Sequence, residues 1–284
     1  MVALPQLPGP VWFVGCGNMG GAILDGWRGA GIALGGVTVI RPSGKPVEGV
    51  RTVTSFADAA PPPRLAVLAF KPQKLDEIAP DLQGWVSSET TVISLLAGVE
   101  VASLRARFPE AGSIVRALPN LAVSVRRGVT GLYSPDLPAL MERQLGDLFT
   151  TLGFAMWMAD EARLAALGSV AGAGPAYVAR FIAALTKAGV GRGLSEEIAA
   201  IIARETVLGT AWMAAASGED MASIAARVAS PKGTTEAGLA VLDRDAVLDE
   251  LVAVAIAAAA RRGAELAEEA KAGSPSLAEP ASLS

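Results

Sequence analysis

The chain has 284 residues, 18% of them charged, with a formal net charge of −4, a pI near 5.1, one cysteine and no histidine. Its length suits one large or two modest domains, and the lack of a basic patch speaks against a nucleic-acid partner, because phosphate neutralisation needs clustered Lys and Arg. Without histidine, Ser-His-Asp and Cys-His catalysis are excluded, and a lone cysteine allows neither an internal disulfide nor a zinc site of the usual ligands, so no metal is expected.

Residues 1–10 carry three prolines and no basic residue, and read as an ordinary leader rather than a signal peptide. The apolar strand Val11–Val14 then runs into Gly15-Cys16-Gly17-Asn18-Met19-Gly20, with a helix expected over 21–29. Strand, glycine turn and helix in that order form a dinucleotide-binding fingerprint. Gly15 serves the tight turn, Gly17 lets the backbone approach a pyrophosphate, and Gly20 allows close helix–strand packing. Cys16 reads as a small residue that fits the turn. Short β-branched runs follow at Val37–Ile40, 65–70, 91–95 and 113–116, separated by helical stretches at 75–82 and 99–107. Further strands are expected within Gly128–Tyr133 and over 154–158. The alternation predicts βαβ units in a mostly parallel sheet, with ligands at the carboxyl ends of the strands.

Twenty-one residues beyond Gly20, where an NAD enzyme places an acid for the ribose hydroxyls, stands Arg41, followed by Ser43 and Lys45. A guanidinium and a hydroxyl suit a 2′-phosphate, so NADPH is the expected cofactor and NADH the alternative; a solvated basic turn is the other reading of these residues. Lys71-Pro72 and Ala97-Gly98-Val99 close two further strands at the same edge and are cofactor candidates. Their alternatives are a surface charge and strand-end punctuation.

From Asp160 onward alanine-rich stretches with few β-branched runs predict an all-helical region: Glu161–Leu167, 176–187, Glu196–Ser217, Met221–Val228, 236–242 and 243–271. The domains expected are a nucleotide-binding domain over 1–158, a helical domain over 159–272 and a loose Ser/Pro/Ala tail over 273–284. The longest uninterrupted apolar run, 251–260, lies between Glu250 and Arg261 and is too short to span a bilayer, which predicts a soluble cytoplasmic protein with no membrane partner. Hydrophobic residues nevertheless make up 51% of the chain and the mean hydropathy is +0.42, more than one monomer core requires. Part of that apolar surface is expected between subunits.

Several segments together resemble the pyrroline-5-carboxylate reductase family. On the cofactor side these are residues 13–20, Lys71-Pro72, Ser94-Leu95-Leu96-Ala97-Gly98-Val99 and Leu118-Pro119-Asn120. In the helical region they are Gly172-Ala173-Gly174-Pro175-Ala176-Tyr177-Val178 and Ser230-Pro231-Lys232-Gly233-Thr234-Thr235. The resemblance implies an α/β Rossmann-like N-terminal domain with a mostly parallel sheet, joined to an all-α C-terminal dimerisation domain. It implies reduction of 1-pyrroline-5-carboxylate to L-proline by NAD(P)H, in a homodimer or a higher homo-oligomer up to a decamer. It adds Asn120 to the cofactor residues and assigns Ser230, Lys232, Gly233, Thr234 and Thr235 to the substrate. The substrate carboxylate would lie on backbone N–H groups around Gly233 and Thr234, and the Thr235 hydroxyl would bond the ring nitrogen. A plain helix cap is the other reading of that threonine.

The sequence departs from the family pattern at Lys232, where glycine is typical, at Ala171 and Ala173, where serine is frequent, and at Leu121, where threonine often follows Pro-Asn. Two other kinds of protein fit parts of the pattern. One is a different two-domain dehydrogenase, for a β-hydroxyacid with Lys187 as its early helical lysine or for another cyclic imine. The other is a non-catalytic NADP-binding sensor.

Overall fold

The computed structural model describes residues 4–272. The expectation of a loose tail over 273–284 lies outside the described residues.

By internal contacts the chain forms two compact units: Gly174–Ala258 is one, and the residues before it join those from 259 onward in the other. The first unit holds eight strands: β1 (Val11–Val14), β2 (Val37–Ile40), β3 (Arg51–Val53), β4 (Leu65–Leu68), β5 (Thr91–Ser94), β6 (Ser113–Pro119), β7 (Gly128–Tyr133) and β8 (Gly153–Trp157). They form one sheet in the order β3-β2-β1-β4-β5-β6-β7-β8, parallel except for the antiparallel pair β6 and β7. The order runs outward from β1 in both directions, so the crevice between β1 and β4 is a topological switch point.

Successive side chains of a strand point to opposite faces, and here both faces are covered. Val11 and Phe13 join one apolar cluster with Ile23, Leu24 and Trp27 of α1 (Asn18–Gly29) and Leu145 and Phe149 of α4 (Ala139–Thr150). Trp12 and Val14 join a second cluster with Leu75 and Leu82 of α2 (Leu75–Gln83) and Leu104 of α3 (Val101–Arg107). Burial of each such side chain contributes about 1.5–3 kcal/mol.

Two of these elements go beyond the sequence expectation. β3 is three residues long, too short for alternation to register, and is held on β2 through Thr38, Val39 and Ile40. α4 shows its pattern in Met141, Leu145, Leu148 and Phe149, a helical stripe that packs on the first cluster.

α5 (Glu161–Leu167) and a π-helical turn at Gly168–Gly172 also belong to the first unit rather than to the helical one. Leu164 is fully buried, and a Cβ on Gly131 of β7 would stand 2.8 Å from its Cδ1. Arg116 of β6, 6% exposed, bonds Glu161 at 2.6 Å, and the same carboxylate oxygen accepts the Val101 backbone N–H at 3.0 Å. One charged residue thereby ties α5 to β6 and to the start of α3.

The second unit is built from α6 (Gly174–Gly191), α7 (Glu196–Ser217), α8 (Met221–Val228), α9 (Thr234–Leu242) and the first turns of α10 (Val247–Ala272). Gly189 of α6 lets α7 approach, since a Cβ there would lie 3.2 Å from the Ala199 Cβ. Ser195 and Asp220 cap α7 and α8 by accepting the Ile198 and Ser223 backbone N–H groups. By length and composition α7 is long and apolar enough to cross a membrane, and only 11% of its apolar stretch is buried.

Candidate active site

The fingerprint turn closes on the switch-point crevice. Gly15 N donates to the Ile40 carbonyl at 2.8 Å and Ala69 N to the Val14 carbonyl at 2.9 Å, which fixes the turn between the ends of β2 and β4. Each glycine answers a different constraint. Gly15 has φ +77°, and a Cβ there would meet the Ala69 carbonyl oxygen at 2.9 Å. Gly20 is buried with a Cβ position 3.2 Å from the Ala69 Cβ, so α1 lies close on the sheet. Gly17 has no neighbour within 4 Å of its Cβ position, so no other part of the protein requires it. Its missing side chain leaves open space beside the backbone N–H groups.

α1 starts at Asn18, earlier than the 21–29 expectation, with Gly17 as an N-cap that offers no side-chain bond. Its first intrahelical bond runs from Gly21 N to the Gly17 carbonyl, so the Asn18, Met19 and Gly20 N–H groups have no acceptor within the helix. No acidic side chain occupies that first turn. Backbone donors, helix dipole and open space together fit a pyrophosphate.

The other cofactor candidates follow β2, β4, β5 and β6, strands parallel to β1, and therefore stand at the same carboxyl edge. Arg41 is half-buried, and its backbone N–H is bonded to Val53 at 3.0 Å. Its charge acts on Cys16 of the fingerprint. Ser43 is exposed, with a hydroxyl 3.4 Å from Lys45 N. Burial pushes the Cys16 thiol up; the Arg41 charge opposes this and the Asp25 charge adds to it. The thiol therefore stays protonated at neutral pH and is a poor nucleophile.

Lys71 and Ala97 are exposed, Pro72 opens a short 3-10 turn, and Gly98 has φ +77°. Asn120 is different. It is 6% exposed, and its carboxamide oxygen takes the Ala122 and Val129 N–H groups while Nδ2 donates to the Ala171 carbonyl at 3.1 Å. Those bonds hold the β6–β7 turn and the π-helical segment. Ala171 needs only its carbonyl for this, and Leu121 is exposed on the turn itself.

The substrate candidates lie in the second unit. Gly233 N donates to the Ser230 carbonyl at 2.9 Å, and a Cβ on Gly233 would overlap the Ser230 Oγ. The Gly233 N–H is thus engaged inside the turn in the ligand-free chain. The donors left for an anion are the Thr234 and Thr235 N–H groups at the start of α9. Sequence reasoning passed over Glu236, whose carboxylate reaches back to Lys232 N at 2.6 Å in the manner of a capping box. Its spacing from the turn was the available signal.

Lys232 is exposed at φ +59°, a left-handed conformation that suits glycine. Thr235 is half-buried and is the second residue of α9, whose cap is Gly233, so the cap reading of this threonine does not hold. Thr186, Thr206 and Thr210 each turn their hydroxyl onto the carbonyl four residues back. Thr235 makes no such bond, because no helical carbonyl precedes it. Its hydroxyl keeps both donor and acceptor capacity. Lys187 lies exposed on α6.

Comparison with known proteins agrees with both halves. Residues 161–266 match the family described as pyrroline-5-carboxylate reductase dimerisation, and residues 10–98 match the one described as NADP oxidoreductase coenzyme F420-dependent. The pyrroline-5-carboxylate reductase of Pseudomonas aeruginosa is 34% identical over 90% of this chain and 96% of its own length. The chain belongs to the pyrroline-5-carboxylate reductase family. The Synechocystis enzyme of that name is 36% identical over 78% of this chain and 81% of its own. The solved pyrroline-5-carboxylate reductase of Coxiella burnetii superposes with a TM-score of 0.83 at 30% identity, covering 92% of this chain and 99% of that one. The Plasmodium falciparum pyrroline carboxylate reductase, solved with NADP bound, reaches 0.82 over 92% of this chain and 99% of that one; at 24% identity it speaks for the fold alone. For this family member, the left-handed backbone at Lys232 gives the physical reason why glycine is typical there.

Proposed function

We propose that this protein reduces 1-pyrroline-5-carboxylate to L-proline with NAD(P)H, the last step of proline biosynthesis. The observation that carries the reading is a likeness running almost the full length of enzymes named for that activity, with its two specific segments in the helical region. The fingerprint supports a dinucleotide through the open side of Gly17 and the free end of α1. Arg41 supports NADPH over NADH, since a guanidinium at the end of β2 suits a 2′-phosphate.

When bound, the cofactor supplies a hydride to the imine carbon. The work left to the chain is orientation and one hydrogen bond, which suits a protein without histidine. The backbone N–H groups around Gly233 and Thr234, at the start of α9, would hold the carboxylate, and the Thr235 hydroxyl would bond the ring nitrogen as it gains its proton. Ser230 and Gly233 shape the turn that presents these groups, and Lys232 adds a positive charge at its rim. On the cofactor side Asn18, Met19 and Gly20 would bind phosphates, while Lys71, Pro72, Ala97 and Gly98 line the same edge. Asn120 acts by holding its turn.

The reading includes a homodimer, assembled further up to a decamer, in the cytoplasm, with neither nucleic acid nor membrane as partner. The exposed apolar face of α7 supports this, because Arg204 and Glu205 pair in mid-helix, where a bilayer would penalise them. NADPH oxidation with pyrroline-5-carboxylate tests the activity directly. In that assay Thr235→Ala should lower kcat/KM by roughly 10- to 150-fold, the loss of one charge-assisted bond of about 1.5–3 kcal/mol, with the fold unchanged. Thr235→Ser should restore much of it, and a fully active alanine variant would remove Thr235 from the site.

A further inference from the structure

α10 ends in a segment whose exposure is one-sided. Leu266, Ala267 and Ala270 are half-buried, while Glu265, Glu268, Glu269 and Lys271 face solvent. These last turns belong to the first unit; they rest on the loop that leaves the sheet after β5 and face the loop after β4 across a cavity. At the β5 loop, a Cβ on Gly98 would stand 2.8 Å from the carbonyl carbon and Cβ of Leu266 and 2.9 Å from Ala267 N. Real Cβ atoms do not approach backbone so closely, so Gly98 is what lets the helix rest on the loop. Two residues on, Glu100 pairs with Lys271 at 3.3 Å. At the β4 loop, Pro72 and Gln73 share the walls of a cavity of about 160 Å³ with Leu266 and Glu269. Ala270 packs on the apolar cluster that includes Leu75 and Leu104.

We propose that residues 266–271 are a strap that positions the Lys71–Gln73 and Ala97–Glu100 loops for hydride transfer. The inference rests on the cofactor reading given above. In a doubly wound sheet the two halves each take one mononucleotide, so Arg41 after β2 serves the adenosine half and the loops after β4 and β5 serve the nicotinamide half. Those loops are short segments fixed to strands at one end, and displacement of a reacting group by about 1 Å is enough to lower a rate by about 100-fold. A helix that rests on one loop and walls the space beside the other limits that freedom. The residues are positioning residues: none of them needs to touch cofactor or substrate.

The test uses the full-length protein with Ala270→Glu, which sets a charged side chain into the apolar seat of the strap. NADPH Kd is read by fluorescence titration, and kcat and the primary isotope effect with 4-deuterated NADPH are read with pyrroline-5-carboxylate. The expected result is a kcat lower by roughly 10- to 100-fold with a larger isotope effect, in a protein that remains folded with the wild-type oligomer mass. Lys271→Glu is a milder second variant that keeps the core intact. It should slow hydride transfer by less than about fivefold, the scale of an exposed ion pair, and, since Lys271 also pairs with Glu268 at 3.0 Å, the full swap Glu100→Lys and Glu268→Lys with Lys271→Glu should restore it. Wild-type kcat and isotope effect in Ala270→Glu, or a swap no better than Lys271→Glu alone, would overturn the strap. Failure of the functional reading is seen separately, as wild-type protein that binds NADPH without oxidising it on adding the imine. In that event the NADPH Kd of the same variants still decides: weaker binding supports the strap and unchanged binding rejects it.

Discussion

The two units dispose of their apolar side chains in opposite ways. Around the sheet, Trp12, Phe13, Trp27, Phe108 and Phe149 are each no more than 1% exposed, in clusters on both faces. In the helical unit, among the described residues, the buried apolar side chains are Ala199, Ala203 and Ile224, while Phe181, Ile198, Ile202, Trp212 and Leu251 stand 47–67% exposed. A unit that exposes its large residues and buries its small ones is one half of a core. The first unit is complete in one chain, whereas the second needs another copy, and a symmetric pair would supply the same surface to itself.

The strongest way to break this contrast is to charge the exposed helical face. Ile202→Asp removes an apolar contribution of about 2 kcal/mol at each of two symmetric positions, so dimer affinity should fall by roughly a thousandfold, and more if the carboxylate is desolvated. Light scattering checks it: the wild type should have no stable, active species near 28.9 kDa, and the variant should lose the dimer. An active wild-type monomer would mean that the second unit is complete alone.

Next in size is a change confined to the first unit. A Cβ on Gly26 of α1 would collide with the Val123 carbonyl oxygen and stand 2.6 Å from the Leu152 Cδ2. Overpacking of this kind costs about 1–3 kcal/mol, and a backbone atom cannot rotate away, so Gly26→Ala should sit at the upper end. The loss should appear in Tm with the oligomer mass unchanged, the reverse of the Ile202 result.

Arg41→Ala probes the cofactor edge with less effect on folding. It should weaken NADPH selectively by roughly 1.5–3 kcal/mol and leave NADH nearly untouched. Equal losses for both cofactors in steady-state kinetics would make Arg41 a structural residue of the β2–β3 turn.

The same contrast explains what could be read from the sequence. Strands of the first unit that bury both faces are short runs of apolar and β-branched residues, and β1, β2 and the fingerprint were legible from them. The three-residue β3 was not, because so short a strand carries no periodicity. α7 and α8 were found at their full extent from their alanine-rich stretches, and each is bounded by a capping residue, Ser195 and Asp220. The affiliation of α5 and of the end of α10 was not legible: composition marks both as helical, and it is contacts such as those of Leu164, Glu161, Gly98 and Lys271 that join them to the first unit. In the candidate site, residue types showed where anions would bind. Which donors remain available depends on bonds such as Gly233 to Ser230 and Lys232 to Glu236, which cross a turn whose shape no local pattern states.

The smallest expected effect concerns Lys232, where the second unit holds a side chain in a conformation better suited to glycine. A left-handed backbone costs a residue with a Cβ about 1–2 kcal/mol, and glycine removes this while adding about 0.5–1 kcal/mol of unfolded-state entropy. Lys232→Gly should therefore be neutral to mildly stabilising in Tm, and the N–H bond to Glu236 should survive because it comes from the backbone. The ammonium is exposed, and exposed charges contribute about 0–1 kcal/mol, so kcat/KM should change by less than tenfold, mostly through KM for the anionic substrate. A dead Lys232→Gly beside a fully active Thr235→Ala would reverse the assignment. The lysine would then be the carboxylate-binding group, and its strained backbone would be the cost of placing a charge at the mouth of the turn.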